Sequence, residues 1–138
     1  HGHGQKGHNE RAAGVEDTRV VVPIPPQLAM HMLANMRDHL AALQEISAAL
    51  AQGQAGAAAK IAEERLGLSS LRAHGAHEVA QFMPQGMKDA GTAMHRSASR
   101  FALDAQNADV TGDLKPALGT LSQVMIACVA CHAGYRLK

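Results

Sequence analysis

The segment Cys128-Val129-Ala130-Cys131-His132, close to the C-terminal end, constrains the fold of this chain more than any other feature. Two cysteines three residues apart, with a histidine directly after the second, form the pattern on which haem c is covalently attached. On a helix, positions i and i+3 lie on one face, so both thiols can bond to one edge of a porphyrin while His132 binds the iron. We therefore expect a helix here, with a large planar group beside it.

Two other interpretations of the paired cysteines need a sequence context that is not found near this end. A redox dithiol of the thioredoxin kind requires a βαβ pattern. A zinc site requires further cysteines or histidines at ligand spacing. The motif thus predicts one covalent haem c, which uses both cysteines and leaves none for a disulfide.

The composition agrees with a helical domain that takes up a bulky cofactor. The chain has 138 residues, which suits one domain, and its aromatic share is only 2%, supplied by Phe82, Phe101 and Tyr135. A core of Ala, Leu, Ile, Val and Met with so many alanines has little volume per residue. An apolar cofactor would supply the missing bulk.

Charge and hydropathy exclude several classes of function. The net charge is +1 and the basic residues are scattered, so we expect no nucleic-acid binding. We find no apolar run approaching the roughly 18 residues that a membrane span needs. No nucleophile constellation or general acid and base pair is visible, so we predict that the protein is not an enzyme. Because haem c is attached outside the cytoplasm, we expect a periplasmic, exported chain whose signal peptide has been removed.

Residues 1–25 are predicted to form an N-terminal arm, followed by one domain over residues 26–138. The arm is rich in glycine and histidine as far as residue 19, and its Val-Pro segment is extended because prolines disfavour helix in the residues before them. His1, His3 and His8 leave two interpretations open, a solvated tail or a square-planar site for copper or nickel. We favour the tail.

Apolar residues recur at helical spacing in four segments, which predicts an all-α, antiparallel four-helix bundle with haem c attached on the last helix. The segments are 26–51, 57–66 with a possible extension to 73, 85–107, and from Thr111 or Asp113 to 137. The first helix should end at Gly53 and bury Met32, Met36, Leu40, Leu43, Ile46 and Leu50. The last helix should bury Leu114, Leu118, Leu121 and Met125 beside the cysteines. We expect His74, His77 and His95 to be surface or capping groups.

This helix pattern, with the motif near the C-terminus and continued by Ala133-Gly134-Tyr135-Arg136, resembles the class II cytochromes c, which include cytochrome c′ and the low-spin cytochromes c-556. The resemblance covers residues 26–138. It implies a haem between the helices, His132 as proximal ligand and a distal position on the first helix. It also implies electron transfer or, in five-coordinate members, binding of diatomic gases.

The distal position of the family lies roughly four turns before the glycine that ends the first helix, and counting back from Gly53 lands near Met36, which is also on the inward stripe. His39 and Met32 are the next candidates. A methionine ligand gives a low-spin iron suited to electron transfer. Many members also carry an arginine four residues before the distal position, where this chain has Met32. The propionate contacts would then fall to a substitute, for which Arg37, Arg100 and Arg136 are candidates.

The sequence therefore predicts a periplasmic monohaem c-type cytochrome that carries electrons through a His/Met-ligated haem. The alternative is a five-coordinate protein that binds NO or CO. The expected partners are redox proteins, and the family resemblance implies a possible homodimer through the first two helices.

Overall fold

A computed structural model describes residues 15–138 of the chain, and helices make up 74% of these residues. The prediction of a mostly helical protein is confirmed. His1, His3 and His8 of the N-terminal arm, for which a solvated tail is favoured over a metal site, lie outside the described residues. The elements are β1 (Val20–Val22), α1 (Pro26–Ala51), α2 (Ala55–Arg65), a 3₁₀ turn (Leu68–Ser70), α3 (Ala76–Ala80), α4 (Gln85–Thr111), α5 (Lys115–Gly134) and β2 (Tyr135–Leu137).

Helix α1 has the bounds expected from the sequence. It begins at Pro26, where the missing N–H of proline has no intrahelical partner to lose. It ends before Gly53, whose φ of +73° lies in the left-handed region that glycine adopts readily. There the N–H of Gln54 donates to the carbonyl of Ala49 at 2.8 Å, which closes the last turn.

The buried face of α1 is rotated from the expected one. Met32, His39 and Ile46 are buried at intervals of seven residues, whereas Leu40 is 71% exposed. Adjacent helical residues point about 100° apart, so a stripe centred on His39 turns Leu40 towards solvent. The prediction that Leu40 is buried is wrong, because the stripe runs through Met32, His39 and Ile46 and leaves Leu40 on the exposed side.

The middle of the chain also departs from the predicted bounds. Helix α2 ends at Arg65 and does not reach residue 73, since a 3₁₀ turn and the short α3 follow. Helix α4 runs four residues beyond Asn107 because Ala105 and Ala108 continue its buried stripe. Thr111 is therefore its last residue and not the cap of the next helix. Helix α5 is capped at Leu114, although Asp113 Oδ1 still accepts the Lys115 N–H at 3.1 Å.

The last helix stops at Gly134, three residues earlier than expected. Residues 135–137 form β2, which pairs in parallel with β1 in the register Val20↔Tyr135, Val21↔Arg136 and Val22↔Leu137. Val22 is fully buried in this contact. Residues 20–22, which were expected only to lead into α1, thus hold the C-terminal end of α5 in place.

Two clusters of buried side chains fill the molecule. The larger, which we call the alanine core, contains 19 buried residues, of which 12 are alanine. It lies where α5 packs along α4, α4 against α2, and α2 against α1. The smaller, which we call the cavity-side cluster, comprises Val22, Met32, Val79 and Met87, with Cys131 and Tyr135 partly buried against it.

Helix α5 is long and apolar enough to cross a bilayer by length and composition, with a mean hydropathy of 1.4, and 22% of that window is buried. Core helices of globular proteins pass the same test, so the finding is weak evidence for a span, and the absence of a membrane span stays a prediction. The outer face of α5 exposes Leu118, Met125, Ile126 and Val129. The prediction that Leu118 and Met125 are buried is wrong, because the buried stripe of α5 runs through Ala117, Leu121, Val124 and Ala127.

Candidate cofactor site

A cavity of about 720 Å³ lies between α1, the segment around α3, α4 and the C-terminal end of α5. Its lining brings together segments that are far apart in the sequence, and most of the atoms in it that could bind a metal are sulfur or imidazole nitrogen. The residues that supply them are Met32, Met36, Met83, Met87, Met94, His39, His74, His77, His95, His132 and Cys131. Nitrogen and sulfur donors suit iron, copper and zinc and are poor ligands for magnesium or calcium.

The two predicted iron ligands face each other in this cavity. Nε2 of His132 lies 3.4 Å from Sδ of Met36, although the two residues are 96 positions apart in the sequence. His132 comes from the last turn of α5 and Met36 from the middle of α1. The structure thus brings together the residue of the motif and the residue selected by counting along the first helix.

The two cysteines are both half-buried but pack on different clusters. Cys131 lines the cavity and contacts the cavity-side cluster, whereas Cys128, one turn earlier, packs against the alanine core. They do not form a disulfide with each other. Burial raises the pKa of each thiol, and the neighbouring Cys128 raises that of Cys131 further.

The alternative distal candidates, Met32 and His39, line the same cavity. Met32 is 9% exposed and packs in the cavity-side cluster. His39 is equally buried, one turn after Met36 on the same face of α1. The contact with His132 Nε2 is made by Met36.

Of the three arginines considered for a propionate, only Arg136 lies at the cavity; Arg37 and Arg100 do not line it. Arg136 Nε is 3.3 Å from Asp17 Oδ2 without a hydrogen bond between them. Asp17 is also bound by Arg19, whose Nη1 donates to the carbonyl of His132 at 3.3 Å. The Arg19 hydrogen bonds hold the pKa of Asp17 well below its usual range.

Arg19 is a cavity residue that sequence reasoning missed. It was placed in a solvated arm, and nothing in its local sequence shows that β1 would bring it to the end of α5. Together with Lys88, Arg136 and Lys138, it gives the cavity lining four basic side chains.

A second missed feature is a group of three histidines, His39, His74 and His95, which we call the histidine cluster. Their ring centroids are 4.6 Å (His39–His74), 5.8 Å (His74–His95) and 6.4 Å (His39–His95) apart. His74 and His95 are partly buried, so neither is a surface group, but His95 does bond the carbonyl of Leu66 at the C-terminal cap of α2, as a capping group would. His77 is exposed, as expected.

The histidine cluster is neutral at pH 7. Burial, together with the neighbouring His74 and His95, lowers the pKa of His39 to about 4. Burial is also the main cause that lowers the pKa of His74 and of His95. His39 Nε2 and His74 Nδ1 are buried without a hydrogen-bond partner. Such nitrogens are costly to leave unpaired, and this cost points to a ligand that would pair with them.

Comparison of the chain with protein-family models, with curated proteins and with solved structures finds no significant match, so the family resemblance rests on the motif residues alone.

Proposed function

We propose that this protein is a monohaem c-type cytochrome that carries electrons outside the cytoplasm. In this proposal α1, α2, α4 and α5 are the helices of a four-helix bundle of the class II type. Cys128 and Cys131 hold the haem covalently, and His132 and Met36 bind the iron. The observation that carries the proposal is the 3.4 Å approach of His132 Nε2 to Met36 Sδ at the cavity.

The side chains at the cavity are of the kinds that would hold a haem, and Cys128 lies just outside the lining. An imidazole and a thioether are the ligand pair of low-spin electron-transfer cytochromes. The 3.4 Å between the two atoms would have to widen by about 1 Å to admit an iron, given metal–nitrogen and metal–sulfur bonds of about 2.0 and 2.3 Å. The thiols needed for covalent attachment lie one helical turn apart, directly before the imidazole. The bound haem would supply a one-electron iron couple.

Each side chain then has a definite task. His132 and Met36 extend from helices, so their ligand atoms are held by packed elements and need move little between oxidation states. A thioether ligand stabilises Fe(II) and raises the reduction potential. The methionines of the lining exclude water, which favours the less charged state of a buried site. Arg136 and Arg19 offer positive charge to carboxylates at the cavity.

The partner predictions extend this proposal. Helix α1 exposes Met30, Leu33 and Leu40, which could pack against a second copy or a redox protein. The exposed residues of α2 are Ala57, Lys60 and Glu64, a small and charged face. A dimer through α1 and α2 would therefore be centred on α1.

The test is a pair of methionine variants made in cells that attach haem c. The wild-type protein should carry one covalent haem, with the long-wavelength charge-transfer band of a ferric iron–thioether bond. Met36→Ala should lose this band and keep the haem. Met32→Ala, in the same helix and lining the same cavity, should retain the band.

Two results would contradict the proposal. Absence of covalent haem from the wild-type protein would refute the cofactor, and an unchanged band in Met36→Ala would refute the ligand. A high-spin ferrous wild-type protein that binds CO without losing a ligand would instead establish the five-coordinate alternative.

A further inference from the structure

The histidine cluster is a set of metal-binding groups that the haem proposal does not use. His39 comes from α1, His74 from the turn before α3, and His95 from α4. Three elements therefore converge on one edge of the cavity, and each contributes one imidazole. We propose that the histidine cluster binds a divalent transition-metal ion, zinc or copper, through His39, His74 and His95.

The first support is the state of the nitrogens. His39 is 9% exposed, and its Nε2 has no hydrogen-bond partner; His74 Nδ1 is likewise buried and unpaired. A metal ion would pair with both nitrogens at once.

The second support is the fixed tautomer of His95. Its Nδ1 lies 2.7 Å from the carbonyl oxygen of Leu66. A carbonyl only accepts hydrogen bonds, so Nδ1 carries the proton and Nε2 keeps its lone pair. A histidine that donates one ring N–H to a backbone carbonyl is the usual arrangement of a metal ligand.

The segment that carries His74 is anchored in a similar way. Asn35 Nδ2, one turn before His39 on α1, donates to the carbonyl oxygen of His74 at 3.0 Å. This contact ties the turn before α3 to the helix that presents His39. His39 and His74 are therefore held near each other by this hydrogen bond as well as by the contact between their rings.

The spacing of the rings is close to that of a three-histidine site. Two imidazoles bound tetrahedrally to one ion have centroids roughly 5 Å apart, given metal–nitrogen bonds of about 2.0–2.1 Å. The observed separations are 4.6, 5.8 and 6.4 Å. Over the described part of the chain no three such side chains already surround one point. Binding therefore requires the rings to rotate inwards, with His95 closing the largest gap.

The chemistry of the surroundings selects the metal. No aspartate or glutamate among the described residues lines the cavity. Asp38 is the one carboxylate that acts on the pKa of His39, and it is bound to Arg65. An all-imidazole site without carboxylates favours zinc and copper over magnesium, calcium or manganese.

The test measures retained metal in the purified full-length chain. The histidines of the N-terminal segment would bind metal independently, so the reference protein carries His1→Gln, His3→Gln and His8→Gln. After incubation with zinc and dialysis, this protein should retain one zinc per chain by elemental analysis. Cobalt in its place should give the intense visible spectrum of a tetrahedral site.

Added to this reference, His39→Gln, His74→Gln or His95→Gln should each weaken zinc binding at least tenfold, measured by competition with a chromophoric chelator. His77→Gln is the matched control, because His77 lines the same cavity but is exposed, and it should bind zinc as the reference does. Far-UV circular dichroism checks the fold of each variant. If His39→Gln unfolds, the partly buried His95→Gln carries the test.

Absence of retained zinc and copper from the reference protein would overturn the proposal, as would undiminished binding in the His74→Gln and His95→Gln variants. Haem content is measured in the same samples. Absence of haem from a protein that still binds zinc would refute the cytochrome proposal and leave the metal-site proposal standing. Failure of one proposal can therefore be distinguished from failure of the other.

Discussion

The alanine core and the cavity side are built from different residues. The first is closely packed, and the second surrounds an open space. In the alanine core, methyl groups let α2, α4 and α5 approach closely, and a few larger side chains such as Phe101 and Ile46 fill the remaining volume. On the cavity side, long methionine and histidine side chains surround a space of about 720 Å³. Small residues thus close one half of the molecule, and flexible sulfur and imidazole groups leave the other half open to a ligand.

This difference has an energetic reason. Every contact in a close-packed core stabilises the folded state, so an empty space there is destabilising. The cavity side has unpaired nitrogens on His39 and His74, which a packed apolar core would not contain, and two half-buried thioethers, those of Met36 and Met83. The alanine core therefore supplies stability, and the unpaired nitrogens support the proposal that the cavity binds a ligand.

The largest expected effect comes from removing bulk from the alanine core. Phe101 is fully buried, so Phe101→Ala should lower the free energy of unfolding by about 3–5 kcal/mol through lost burial and a new void. Met83→Ala removes a partly buried side chain that lines the existing cavity and should cost only about 1 kcal/mol. Urea unfolding followed by circular dichroism measures both. Equal costs would contradict the division into a packed half and an open half.

A comparable effect is expected from pH, through the cavity residue His39. The pKa of His39 is lowered from 6.5 to about 4 in the folded protein, by burial and by its neighbours His74 and His95. The unfolded chain therefore takes up a proton below pH 6.5 that the folded chain refuses until about pH 4. Stability is fully present above pH 6.5 and should fall by up to about 3 kcal/mol as the pH drops to 4.

Unfolding free energies measured between pH 7 and pH 4 test this loss. His39→Gln should flatten the profile, and its remaining slope would come from His74 and His95. His77→Gln, an exposed histidine at the same cavity, should leave the profile unchanged. A profile of equal slope in His39→Gln would show that the buried imidazole is not the cause.

A smaller effect should separate two glycines of α4. A methyl group on Gly86 would collide with the hydroxyl of Tyr135, whereas one on Gly91 would meet nothing within 4 Å. Gly86→Ala should therefore displace the Tyr135 ring and cost about 1–3 kcal/mol. Gly91→Ala should gain up to about 1 kcal/mol from its helix propensity. Thermal unfolding of the pair measures the difference, and similar melting temperatures would mean that Tyr135 moves freely.

Much of the secondary structure could be predicted from local sequence. The bounds of α1 follow from Pro26 and Gly53, and the start of α4 follows from Pro84. The error at the end of α5 has a tertiary cause, because residues 135–137 pair with β1, more than a hundred positions earlier. A pairing partner at that distance leaves no signal in a window of helical length.

The residues of the candidate site also fall into those that the sequence could predict and those that it could not. The Cys128–His132 motif is local, and counting back from Gly53 along the first helix led to the neighbourhood of Met36 and His39. Arg19 and the histidine cluster could not be found, because each depends on which segments become neighbours. His74 and His95 look like ordinary polar residues until α1 and α4 place His39 beside them.

The sequence by itself determined that the chain is helical, where α1 begins and ends, and that the last helix carries two thiols and an imidazole on adjacent turns. These features depend on residues within a few turns of one another. Only the tertiary structure decided that Met36 lies opposite His132, that β1 secures the end of α5, and that three histidines share one edge of the cavity. Such contacts are set by how whole helices pack, and packing depends on the shape of both surfaces at once.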